Sequence, residues 1–150
     1  MAKNDEINRK ILQELGRNAR LSNLELADRV GLSPSACLRR VQELERSGVI
    51  TGYRVVTDPV KLGVGFVAMV TVGLNSHTKS AQESFERAMD RSPEVVECHN
   101  VTGPVEYILR VEVADLPAYK VFHTDTLGSL PQVNAIATYV VLDSSKDARV

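Results

Sequence analysis

The sequence predicts an α+β chain, an N-terminal winged helix-turn-helix followed by a C-terminal ferredoxin-like βαββαβ domain. Three observations predict it. Two helix-start signals, at Ser22 and at Ser33-Pro34, stand on either side of a glycine turn at Gly31. From Phe66 onward, Val-rich runs suited to strands alternate with helical stripes. Asp58-Pro59, Gly63 and Gly65 break the chain between these halves.

Ile7, Ile11, Leu12 and Leu15 recur at helical spacing, so a first helix starts near an Asn4 or Asp5 cap and ends by Gly16. Ser22 with Glu25 has the form of a capping box and opens a second helix with Leu24, Leu26, Ala27 and Val30 as its apolar positions. Gly31 suits the left-handed stop, and Leu32 is the buried turn residue. The third helix runs from about Ser33 to Arg46, with Cys37 or Leu38, then Val41 and Leu44, on its inner face. Gly48 ends it, and Val49-Ile50 with Tyr53 to Val56 predicts a β-hairpin wing.

Beyond the break, Phe66–Leu74 is the first strand and Ala81–Met89 a helix carried by Ala81, Phe85, Ala88 and Met89. Val95–Val101 and Tyr107–Val113 form a hairpin through Gly103-Pro104. Asp115 caps a helix over Leu116–Leu127, and Val133–Leu142 is the last strand. Helices cover one face of such a sheet. The other face is left bare, which predicts a homodimer formed through the sheets. The domain bounds are 1–54 for DNA binding, 55–65 for a linker, and 66–150 for effector binding and oligomerisation.

Charge is divided between the halves. Residues 1–54 hold ten Lys/Arg against seven Asp/Glu, and residues 55–150 hold eight against twelve. The basic half fits nucleic acid, and the acidic half repels it. Two cysteines make no disulfide framework, and the absence of a long apolar run predicts a cytoplasmic, nucleoid-associated protein without a membrane partner. With 5% aromatic residues and no Trp, a base-stacking platform for single strands is a poor fit.

The third helix carries the chemistry. An α-helix fits the major groove, and Arg donates two hydrogen bonds to guanine. Arg39 and Arg40 lie about 100° apart around the axis, one suited to a base and the other to a phosphate. Ser22, Ser33, Ser35 and Ala36 at the helix starts, and Arg54 on the wing, complete the expected double-stranded DNA face. Neither a phosphate-cradling glycine loop nor a metal-ligand cluster is present, and no cofactor is expected. Cys98 and His99 are strand neighbours that point to opposite faces, so they make no nucleophile pair. No enzyme is predicted. At Thr102-Gly103-Pro104-Val105-Glu106 the glycine permits close ligand approach and Glu106 suits an ammonium group, against the alternative of a plain hairpin turn.

These residues resemble the Lrp/AsnC, or feast/famine, regulators over nearly the whole chain, and most of all the leucine-responsive branch. The carriers are Ile11-Leu12, Gly31 to Val41, Leu44-Glu45, Gly48 to Ile50 and Gly52-Tyr53. In the second half they are Val96 to His99, Thr102-Gly103, Tyr107 to Leu109, Leu130-Pro131, Val133-Asn134 and Thr138 to Val141. The resemblance implies a sequence-specific transcriptional regulator with a RAM/ACT-like effector domain. It also implies dimers that assemble into octamers, and an amino-acid effector held between dimers near Gly103. Where the family has Gly-Asp-x-Asp, this chain has Gly103-Pro104-Val105-Glu106, so Pro104 removes a carboxylate and an N–H. Two other readings stand beside the regulator: an architectural DNA-bending protein, and a metabolite-binding module with an idle DNA domain.

Overall fold

The structure is a computed structural model that describes residues 6–147. The cap expected at Asn4 or Asp5 lies outside the described residues. The chain divides into two compact units at Val55/Val56.

The first unit holds α1 (Glu6–Arg17), α2 (Asn23–Val30) and α3 (Pro34–Arg46). The capping box at Ser22 forms, with the hydroxyl accepting from the Glu25 N–H while the Glu25 carboxylate accepts from the Ser22 N–H at 2.8 Å. Gly31 takes φ 72°, a left-handed conformation in which its N–H reaches back to the end of α2. The Asn23 side chain donates to the Pro34 carbonyl at 2.8 Å and so braces α2 against the start of α3. Ile11, Leu26, Ala27, Val30, Cys37 and Leu44 form the buried core, with Leu32 packed on it. Between the two residues the sequence offered, the inner position belongs to Cys37 (fully buried), and Leu38 is 46% exposed. Leu24 is also outside the core, 68% exposed.

The wing hairpin does not form; residues 51–58 make no strand. Its first arm is already in use. Gly48 turns left-handed at φ 74°, the Ile50 N–H donates to the Leu44 carbonyl, and Ile50 packs on the helical core. With Ile50 closing α3, no arm is left to pair with Tyr53–Val56.

The second unit contains β1 (Phe66–Leu74), α4 (Lys79–Asp90), β2 (Val95–Asn100), β3 (Tyr107–Val113), α5 (Leu116–Val121) and β4 (Val133–Val140). The sheet order is β2-β3-β1-β4, with every pairing antiparallel. Ala68, Val70, Val72 and Leu74 of β1 and Tyr107, Leu109, Val111 and Val113 of β3 alternate inward. They pack against Phe85 and Met89 of α4 and against Tyr119, Phe122 and Leu127. Asp115 caps α5 by accepting from the Ala118 N–H at 2.8 Å. The expected single helix to Leu127 instead widens into a π-helical turn over Phe122–Leu127. An α-helix would place Thr126 beneath Phe122; the wider turn brings Leu127 to the core, where it is fully buried.

The opposite face is less apolar than expected. Met69 and Ile108 share it with Arg110, which pairs with Glu112 at 2.8 Å and with Asp147 from the chain end at 3.1 Å.

Leu109 is fully buried at the middle of the sheet. Leu109→Ala is expected to destabilise the protein by about 2–5 kcal/mol, through lost burial and the cavity left behind. Urea denaturation followed by circular dichroism measures it.

Candidate nucleic-acid interface and effector turn

The helix-turn-helix brings the expected DNA residues together at the start of α3 but gives them different surroundings. Ser33 caps α3, its hydroxyl oxygen accepting from the Ala36 N–H at 3.3 Å, and lies 3.4 Å from the Ser35 hydroxyl. Both serines are exposed, and Ala36 is half-buried beside them. One turn on, Arg39 is exposed and has no hydrogen-bond or ion-pair partner among the described residues. Arg40 differs. It is half-buried, and its guanidinium donates to the Asn8 side chain of α1 at 3.0 Å.

Ser22 is occupied as well. Its hydroxyl donates to Glu25 Oε2 at 2.7 Å, and its hydrogen bonds hold the Glu25 carboxyl below the usual carboxylate range. Arg54 lies on the strandless segment, exposed. Sequence reasoning missed Asn8, which is 6% exposed and anchors Arg40. The signal was available: Asn8 lies one helical turn before Ile11 on the inner stripe of α1, where a polar residue needs a partner.

At one end of the sheet, Thr102, Gly103 and Pro104 are exposed, and Val105 and Glu106 are half-buried. Gly103 has φ 138°, a conformation that L side chains rarely adopt. Glu106 is not a solvated carboxylate. Its side chain is 14% exposed, Oε2 accepts from the Leu74 N–H at 2.6 Å, and His77 Nδ1 lies 3.1 Å from Oε1. Its backbone N–H donates to the Val72 carbonyl. Glu106 therefore bridges the turn to the end of β1, where the β1–β4 register shifts between Gly73 and Leu74. A side chain at Gly73 would crowd Asn134 Oδ1 at 2.9 Å and lie 3.7 Å from the Glu106 carboxylate. His77 had no role in the sequence reading; it lies far from the turn in sequence, and only the fold brings the two together.

Alongside, the Asn75 N–H donates to the Gln132 carbonyl at 2.9 Å. Gln132 Nε2 is buried and finds no hydrogen-bond partner among the described residues.

A groove of about 720 Å³ separates α4 from β2 and is lined by Glu83, Glu86, Met89, Cys98 and Tyr107, among others. The Tyr107 hydroxyl donates to Glu86 at 2.8 Å; burial and that carboxylate push its pKa up to about 12. Burial, with the charge of Glu86, pushes the Cys98 thiol up to about 11. Cys98 lies across from Leu109 and His99 across from Ile108, so the neighbours occupy opposite faces. Among the described residues no group of three or more His, Cys, Asp or Glu could hold a metal ion, and no helix is long and apolar enough to cross a membrane.

Two family models match the chain: a winged helix-turn-helix DNA-binding model over residues 4–51, and the Lrp/AsnC ligand binding domain over residues 67–150. The leucine-responsive regulatory protein of Escherichia coli strain K12 is 42% identical over 144 residues, which cover 96% of this chain and 88% of that protein. A transcriptional regulator from Neisseria meningitidis, solved in complex with L-Met, superposes with a TM-score of 0.91 at 37% identity, covering 95% of this chain and 92% of that one. Escherichia coli AsnC superposes with a TM-score of 0.86 at 26% identity, covering 95% of each chain. The chain belongs to the Lrp/AsnC family of transcriptional regulators.

Glu106→Ala is expected to cost about 1–3 kcal/mol in the ligand-free protein, because it strips the nearly buried Leu74 N–H of its acceptor. Chemical denaturation without any ligand measures it. Unchanged stability would show that the carboxylate does not hold the strand end.

Proposed function

We propose that this member of the Lrp/AsnC family binds double-stranded DNA sequence-specifically through α3, as a homodimer, and that an amino acid bound at the Thr102–Glu106 turn alters that binding. The observation that carries the DNA reading is the exposed cluster at the start of α3: Ser33, Ser35 and, one turn on, Arg39, which has no partner among the described residues. The serine hydroxyls lie beside the positive end of the helix dipole, where phosphate binds well. Arg39 is the base reader in this proposal. Ala36, small and beside them, allows close approach to a base edge. Arg40 holds α3 against α1, Ser22 sets the start of α2, and Arg54 is a subsidiary phosphate contact.

Residues 1–54 then form the DNA-binding domain, 55–65 the linker, and 66–150 the effector and oligomerisation domain. A two-fold dimer, assembling further to an octamer, presents two copies of α3 to half-sites about one helical turn apart. The protein acts as a cytoplasmic, nucleoid-associated regulator with no catalytic step and no cofactor.

For the effector, two observations favour the turn. The N. meningitidis relative was solved with L-Met. In this chain, Gln132, whose backbone carbonyl accepts from the Asn75 N–H beside the strand end that Glu106 clamps, has a buried Nε2 with no hydrogen-bond partner among the described residues. Because Glu106 is occupied by Leu74 and His77, an incoming ammonium would share or displace the His77 contact.

The test is a salt-controlled titration of promoter DNA with and without each amino acid. One amino acid is expected to shift the binding curve. Arg39→Ala is expected to weaken specific binding roughly ten- to hundredfold while leaving the fold intact. Arg40→Ala is expected to lower stability as well, through loss of the part-buried hydrogen bond to Asn8. Undiminished affinity in Arg39→Ala would remove α3 as the reading helix.

A further inference from the structure

Glu106 uses its two carboxylate oxygens unequally. Oε2 accepts from the Leu74 N–H at 2.6 Å and so belongs to the sheet. Oε1 faces His77 Nδ1 at 3.1 Å and has no other partner among the described residues. An amino acid that brings its ammonium to this carboxylate can take Oε1 without breaking the strand end. His77 therefore stands in the place the ammonium needs.

The chain around His77 is fixed, while its ring is not. On one side the Asn75 N–H donates to the Gln132 carbonyl and the Asn75 side chain donates to the Pro131 carbonyl, both at 2.9 Å. On the other side Thr78 caps α4 by accepting from the Ala81 N–H. Between these anchors the His77 side chain is 79% exposed, against 14% for Glu106. The short anchored loop keeps the imidazole within reach of the carboxylate, and exposure lets it leave by a change of rotamer.

A carboxylate only accepts, so Nδ1 donates, and an imidazolium donates with a full positive charge. Histidine is the side chain whose charge changes between about pH 5 and 8. The ammonium of a free amino acid and ordinary carboxylates keep theirs from about pH 5.5 to 7.5. Protonated His77 thus competes with the ammonium for Oε1 and also repels it, whereas the neutral ring brings no charge to either effect. The surrounding elements add no second titrating group to the pair. The turn brings Glu106 alone, since residues 102–105 are uncharged, and Gly73, Leu74 and Asn75 at the end of β1 and Val133 and Asn134 at the start of β4 are uncharged too. On α4, Lys79 lies 3.6 Å from Glu83, and Glu86 accepts from the Tyr107 hydroxyl. The other histidines have their own neighbours, His99 beside Glu97 and His123 beside the Tyr119 ring.

We propose that His77 is a built-in competitor of the effector: when protonated it occupies the Glu106 carboxylate, so amino-acid binding at the turn strengthens as the imidazole loses its proton. This deepens the effector reading and rests on it.

The test is calorimetric titration of the full chain at about pH 5.5 and 7.5, at constant salt. The probes are L-methionine, with which the N. meningitidis relative was solved, and then each of the other protein amino acids. The wild-type protein is expected to bind roughly two- to fivefold more weakly at the lower pH, the scale of an exposed ion pair. His77→Ala should lose this dependence and bind at both pH values at least as tightly as the wild type does at the higher one. His77→Lys, whose charge does not titrate in this range, should bind weakly at both.

An amino acid that binds wild type and His77→Ala with the same pH dependence overturns this inference alone. So does a His77→Lys variant that binds as tightly as His77→Ala. Glu106→Gln keeps an acceptor for the Leu74 N–H but loses the charge, so undiminished binding by that variant overturns both the placement of the ammonium and this inference. A chain that binds none of the amino acids at either pH overturns the effector reading and this inference together.

Discussion

The second unit depends on one strand being held in one register. β1 lies inside the sheet, paired with β3 on one side and β4 on the other, and it commits Ala68, Val70, Val72 and Leu74 to the helix-covered face. A slip by one residue would exchange that row for Val67, Met69 and Thr71. The alternation ends at Gly73, which is buried together with its neighbours, and there the pairing with β4 shifts. At that point Glu106 supplies the acceptor for the Leu74 N–H. The strand that organises the core therefore ends on Glu106, whose carboxylate accepts from the Leu74 N–H and whose backbone N–H donates to the Val72 carbonyl.

The first unit obeys a different constraint. Three short helices have little apolar surface to bury, so their ends are specified locally: the Ser22–Glu25 box, the left-handed Gly31, the Ser33 cap and the Asn23 brace. The same devices leave the start of α3 facing solvent, with Arg39 without a partner among the described residues. Arg40, the next residue, is held by a buried asparagine. Adjacent arginines thus differ: Arg40 ties α3 to α1, and Arg39 is exposed with no partner among the described residues.

Most of this was legible because it is local or periodic. The strands at Phe66–Leu74 and Tyr107–Val113 match the expected bounds, since Val-rich alternation bounded by turns leaves little choice. The capping box and the Asp115 cap were readable for the same reason. What escaped reading depends on distant partners. Cys37 and Leu38 could not be separated by spacing, and only the packing of α1 decides between them. The π-helical turn after α5 is set by where the core lies, which no helical period reveals. The wing was misread because Ile50 has strand propensity but is taken up in closing α3. At the turn, Glu106 looked like a free carboxylate because Leu74 and His77 are remote in sequence.

The clamp also bounds how a ligand could act. A ligand shifts a conformational equilibrium only by the difference in its affinity for the two states. At this turn Pro104 offers neither a carboxylate nor an N–H, so contact chemistry is concentrated in Glu106 and its neighbours. An ammonium that draws Glu106 toward itself must weaken the Leu74 or the His77 contact. The Leu74 contact joins the turn to β1, and so to the row that carries the core. The His77 contact is exposed and easily exchanged, since the His77 side chain is 79% exposed. An effector that exchanges only His77 would bind without disturbing the sheet, whereas one that also competes for Leu74 would strain the β1–β4 register. If the effector binds at this turn as proposed, silent and regulatory binding would differ in which of these two partners Glu106 gives up.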